Sequence, residues 1–252
     1  KHRRFDTFFH TQTVRAETRQ AISSLALLNT RPNLYPKIPN SIQQVEQYLS
    51  RLNWNIPWGA GSHFSHLVFF LSHSNLSDKE NLIRHAIEWT NRIQDPKTGS
   101  WFKGQPPIEQ KVNGAMKIIT GLKAANQMNF SHAKELVDLA LSATNDRHAC
   151  DNFNVVYVLK YASQVLDHSY RFDEIKKFAL NRLAIYKEYY WPEHGGFSFD
   201  KGHAERNYYR AVITKGLPEP DIHGTVMFLW GISIIGQILG IENQLGFKEF
   251  VT

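Results

Sequence analysis

The 252-residue sequence holds one cysteine, Cys150, which excludes a disulfide framework and any Cys₄ or Cys₂His₂ zinc site. No uninterrupted apolar run reaches the ~18 residues of a membrane span. Lys1-His2-Arg3-Arg4-Phe5 leads into polar sequence, so no signal peptide is expected. The missing initiator Met reads as a trimmed or excised piece, and a flanking domain or partner chain is then expected. The absent signal peptide and the scarcity of cysteine favour the cytoplasm. Gly-rich phosphate loops, H-E-x-x-H, G-x-S-x-G and EF-hand patterns are all missing, so the motifs name no cofactor and no metal. Basic residues outnumber acidic ones, 29 to 23, but lie dispersed along the chain. That balance favours an acidic ligand over nucleic acid, for which no recognition module is seen.

What is present is helical periodicity. Apolar spacing predicts helices at 10–29, 40–53, 60–73, 78–94, 108–127, 131–144, 151–167, 172–189 and 222–240, and no alternating strand. Ser77 with Glu80 has capping-box spacing; Ser131, Asp151, Asp173 and Asp221 are further cap candidates. Helices 78–94, 131–144 and 172–189 carry one apolar stripe each and should be outer helices. Helices 60–73, 151–167 and 222–240 are apolar nearly all round and should be buried on most sides. Buried helices begin near Trp58, Ile108, Cys150 and Asp221, a period of roughly 40–50 residues that lengthens in its last step. One domain over residues 1–252 is expected, with 190–220 as a long loop over a cleft.

Three turns carry Gly and aromatic residues together: Pro57-Trp58-Gly59-Ala60-Gly61-Ser62, Gln94 to Trp101, and His194-Gly195-Gly196-Phe197. The middle turn fits the Q-x(2–5)-G-x-W repeat of squalene/hopene cyclases. Asp221-Ile222-His223-Gly224-Thr225 is similar to the Asp…His-Thr segment of protein prenyltransferases. The chain thus resembles the α/α-toroid superfamily of terpenoid cyclases and protein prenyltransferases over about residues 55–240. The resemblance implies an all-α fold, an (α/α) helical-hairpin toroid or incomplete barrel of about four to five hairpins. Its chemistry does not carry over: neither D-x-D-D nor D-D-x-x-D occurs, and Cys150-Asp151 inverts the prenyltransferase D-x-C order.

In such a fold, polar residues near the starts of the inner helices define the pocket. His63 and His66 share a helix face and are substrate donors, acid–base groups, metal ligands with a third partner, or hydrogen-bonded histidines at the core edge. Asn113 and Lys117 stand at i and i+4; the lysine suits an anion or snorkels to solvent. Asp151 and Asn154 flank a helix start, Asp151 as base or cap. Cys150 reads as a small hydrophobe, because no base partner can be assigned to it. Asp221 and His223, with Gly224 beside them, exceed what capping requires. The long loop adds Glu193, His194, Asp200, His203, Glu205, Arg206, Tyr208, Tyr209 and Arg210, a mixture that either clamps an acidic or hydroxyl-rich ligand or forms a solvated loop packing its own aromatics.

The expected catalytic set is Asp221, His223, Asp151 and Tyr208. The expected substrate-binding set is His63, His66, Asn113, Lys117, Asn154, Glu193, His194 and Arg210. The function expected is carbohydrate-active: a saccharide or acidic glycan processed by carboxylate, His or Tyr acid–base chemistry. An isoprenoid enzyme and a non-catalytic helical-repeat scaffold are the alternatives.

Overall fold

A computed structural model describes residues 12–33, 35–208 and 211–250. The basic N-terminal run and the first two residues of the helix expected from 10 lie outside the described residues. Helical periodicity becomes nine α-helices among those residues. They are α1 (Gln12–Leu27), α2 (Ile42–Ser50), α3 (Pro57–His73), α4 (Lys79–Asn91), α5 (Ile108–Ala124), α6 (Ala133–Ser142), α7 (Ala149–Val165), α8 (Phe172–Tyr186) and α9 (Ile222–Leu239). Two compact units contain them: residues 12–95 and 100–131 form unit 1, and 96–99 and 132–250 form unit 2.

In unit 1, α3 packs against α1, α4 and α5, and α2 against α4. α3 is buried almost all round, as its composition implies; Phe64, Phe69 and Phe70 are each fully enclosed. Each such ring contributes roughly 1.5–3 kcal/mol. The α3–α5 contact depends on missing side chains. A Cβ on Gly61 would sit 2.8 Å from the Gly114 carbonyl oxygen, and one on Gly114 would sit 2.7 Å from Pro57 Cβ. The turn after α4 is structural: Trp101 is fully buried, and Gln94 and Trp101 face each other in a β-bridge.

In unit 2, α7 packs against α6, α8 and α9, and α9 also packs on α8. Nearly every α7 residue from Ala149 to Leu159 is buried, Cys150 being the half-buried exception. The amphipathic helices behave as their stripes require: α6 buries Leu136, Leu139 and Ala140, and α8 buries Ile175, Ala179, Arg182 and Tyr186. α9 departs from expectation. It buries Phe228, Trp230 and Ile234 but leaves Ile222 85% exposed and Val226 exposed. By length and composition alone α9 could cross a membrane, yet over half of it is buried inside the protein.

Several local expectations are corrected. Pro57, read as part of a turn, is the first residue of α3, where its fixed φ suits a helix start. The Ser77–Glu80 capping box does not form; Asp78 is the cap residue of α4, and its carboxylate accepts from Asn81 instead. His132 caps α6 in place of Ser131, and Arg171 caps α8 in place of Asp173. At α7 the cap is His148, whose ring accepts the Asp151 N–H. The 190–220 segment holds two small antiparallel hairpins, β1 (Tyr190–Trp191) with β2 (Gly196–Phe197) and β3 (Asn207–Tyr208) with β4 (Ala211–Val212). Two-residue strands are too short to show an alternating pattern.

The glycine contact yields a paired prediction. Gly114→Ala gains about 1 kcal/mol of helix propensity but overlaps Pro57 backbone, an overpacking cost of about 1–3 kcal/mol. Urea unfolding should show a net loss for Gly114→Ala. Gly59→Ala, whose Cβ meets only Ile56 at 3.9 Å, should be neutral or mildly stabilising.

Candidate functional site

The site in unit 2 is organised by Asp221, the N-cap of α9. One carboxylate oxygen accepts the Gly224 N–H at 2.7 Å. The other accepts the Phe199 N–H at 2.8 Å and the Glu205 N–H at 3.0 Å. Helix start and loop are thereby clamped by one side chain. The clamp also needs Gly224, where a Cβ would overlap the Phe199 and Ser198 backbone. Two further bonds close the seam, Asp221 N–H to Phe197 carbonyl at 3.0 Å and Phe197 N–H to Thr225 Oγ1 at 2.9 Å.

Fixing the Glu205 backbone carries its carboxylate to His223, where Oε2 lies 2.6 Å from Nδ1. A carboxylate can only accept, so Nδ1 donates and Nε2 faces the other way. There it meets Cys150 Sγ at 4.0 Å. The imidazole stacks on Phe199 with centroids 4.5 Å apart, and the Tyr208 ring meets its edge at 5.5 Å. Burial alone would lower the His223 pKa. The hydrogen bonds and charges of Cys150 and Glu205 outweigh it and raise the value to about 10. His223 also lines a cleft of about 630 Å³, whose walls include His194, Ile213, Thr214, Glu219, Ile222 and Val226.

The other expected residues of unit 2 stand apart from this array. Asp151 is fully buried and takes Arg147 Nε at 3.3 Å, with His148 Nε2 at 3.6 Å. Asn154 is buried within α7. Glu193 and His194 are exposed, and of these two His194 borders the cleft. Tyr209 and Arg210 lie outside the described residues. Cys150 and Glu205 were not in the expected site. The reading of Cys150 as partnerless is corrected by a base 73 residues away. A lone Cys with a His elsewhere in the sequence was the available signal; nothing local singles out Glu205 among the loop acids.

His63, His66, Asn113 and Lys117 belong to unit 1, in a setting of their own. His63 Nδ1 meets the Tyr48 hydroxyl at 2.6 Å. Arg15, fully buried, donates from Nε to His66 Nδ1 at 2.7 Å, so His66 is neutral with its proton on Nε2. Burial first, then the nearby Arg19, Arg15, Lys117 and His63 charges, hold His66 well below the ordinary histidine value. Arg19 donates to Ser65 Oγ at 2.9 Å and lies over the Phe69 ring. Asn113 is fully buried in α5, and Lys117 is half-buried one turn later.

Among the described residues no group of three or more His, Cys, Asp or Glu side chains is placed to hold a metal. Comparison with known proteins finds no matching family profile, no similar curated protein and no similar solved structure.

Two outcomes test this geometry. Asp221→Ala removes three acceptor contacts and should cost roughly 2–3 kcal/mol in chemical denaturation. For His223, whose folded value is raised, the stabilisation is fully present below pH 6.5 and is lost as pH rises through about 10. The stability difference between wild type and His223→Gln should therefore shrink across that window in urea titrations.

Proposed function

We propose that unit 2 carries an enzyme active site in which His223 moves a proton to or from a ligand held in the cleft at the start of α9. One observation carries the reading: the Glu205 carboxylate on Nδ1, at 2.6 Å, fixes the imidazole so that Nε2 is presented for proton transfer. Asp221 holds Glu205 and His223 in register and acts as a positioning residue. Tyr208, at the ring edge, is the second proton-bearing group near the imidazole.

The ligand class proposed is a saccharide, including acidic glycans. The cleft pairs apolar surface from Pro220, Ile222 and Val226 with polar groups of His194, Thr214 and Thr225. Sugar rings present the same combination, apolar CH faces and hydroxyl edges. A second reading, an isoprenoid ligand, is favoured by the apolar share of that wall, in which Ile213, Ile222 and Val226 are exposed. The architecture proposed around the site is a single α/α-toroid domain of residues 1–252. The recurrence of largely buried helices at α3, α5, α7 and α9 supports it.

Thermal shift of the full chain against neutral oligosaccharides, acidic oligosaccharides and prenyl diphosphates tests the ligand class. A ligand of the native state at a hundred times its dissociation constant adds about 2.7 kcal/mol. A saccharide response is expected, with turnover of the responding saccharide lost in His223→Gln. A response to prenyl diphosphates alone would select the isoprenoid reading, and none at all would favour a scaffold.

A further inference from the structure

We propose that Cys150 is a covalent nucleophile and that unit 2 transfers or hydrolyses an acyl group borne by an ester of a hydroxyl-rich ligand. His223 serves as its acid–base partner and Glu205 as the positioning residue. The proposal rests on the acid–base reading of His223 and adds a bond-forming group to it.

The geometry is that of an activated nucleophile: thiol, imidazole and carboxylate in line, with Sγ to Nε2 at 4.0 Å and Nδ1 to Oε2 at 2.6 Å. A thiol–imidazole distance of this size is within the range from which catalytic hydrogen bonds tighten in substrate complexes. Three segments far apart in sequence supply the groups: the first turn of α7, the loop before β3 and the first turn of α9. Cys150 is the one half-buried residue on an otherwise buried stretch of α7, and its His223 partner lines the cleft. The neighbouring N–H groups are engaged: Ala149 donates to the Phe199 carbonyl, Asp151 to the His148 ring and Asn152 to the His148 carbonyl.

The chemistry balances without a co-reactant other than water. The pair reacts with the proton already on His223 Nε2, and the Cys150 sulfur bonds to the carbonyl carbon as the thiolate. The carbon–oxygen bond to the alcohol breaks, and the alcohol leaves with the proton from Nε2. A thioester remains on Cys150. Water then gives a proton to Nε2 and its oxygen to the thioester carbon. The carbon–sulfur bond breaks, the acid departs, and the thiolate beside a protonated Nε2 is restored.

The test uses the full chain and p-nitrophenyl acetate. The expected result is a burst of p-nitrophenolate of about one equivalent per chain, with acetyl found on the Cys150 peptide by mass spectrometry. Cys150→Ala should lose the burst, and His223→Gln should slow it by about 100-fold or more. Glu205→Gln should slow alkylation of Cys150 by iodoacetamide at fixed pH, a readout that a purely structural carboxylate would leave in place. In wild type Cys150 should be alkylated faster than free cysteine under the same conditions. That measurement decides even if His223→Gln fails to fold. Alkylation no faster than that of free cysteine, or acetylation equally fast without His223, overturns the proposal. Saccharide turnover that survives Cys150→Ala but not His223→Gln overturns it too, and leaves the acid–base reading standing. His223-dependent acetylation without any saccharide response supports the thiol chemistry and sets aside the saccharide assignment.

Discussion

Three backbone N–H groups converge on the Asp221 carboxylate, and the rest of the unit 2 site depends on that convergence. Two of them, from Phe199 and Glu205, belong to a loop with little regular structure to hold it. The third, from Gly224, belongs to the first turn of α9. A carboxylate with about four lone-pair sites can accept all three N–H groups, where a hydroxyl cap offers two. Each such charge-assisted bond is stronger than a neutral one. Loop and helix are fixed relative to each other by these bonds together with close packing of Gly224 on the Ser198–Phe199 backbone.

The consequences follow outward from this clamp. Because Phe199 is held, its ring forms a floor under His223, with His148 stacked on the same ring at 5.1 Å. Because Glu205 is held, one imidazole nitrogen is occupied and the other is directed at Cys150. The exposed apolar start of α9 makes sense in this setting. Ile222 and Val226 line the cleft beside His223, and burying them would close it. Unit 1 follows another logic: arginine and histidine are drawn into its interior, where burial keeps His66 neutral and the Arg15 hydrogen bond fixes its tautomer.

Helices were legible in the sequence because their apolar spacing is strong over ten or more residues, and all nine form. Their starts were less legible. Ser77 and Ser131 had suitable side chains, yet Asp78 and His132 took the cap positions, since a cap is decided by the chain's entry angle as well as by residue type. Asp221 and His223 stood out through a local excess of ionisable groups at a helix start. Cys150 and Glu205 did not, because their meaning is tertiary. A thiol in an apolar stretch looks like packing until a base is brought to it, and one acid among several in a loop has no mark of its own.

The Cys150–His223 contact bridges 73 residues, and its base lies on the last α-helix among those described. During synthesis from the N-terminus, α7 emerges with its thiol long before the imidazole exists to polarise it. Closing so long a loop adds only a logarithmic entropy cost, so the contact forms readily once α9 docks. On the proposed thiol chemistry, the nascent chain would carry an unarmed sulfur until α9 docks. Latency of that kind would require no inhibitory segment; the order of the two residues along the sequence would provide it.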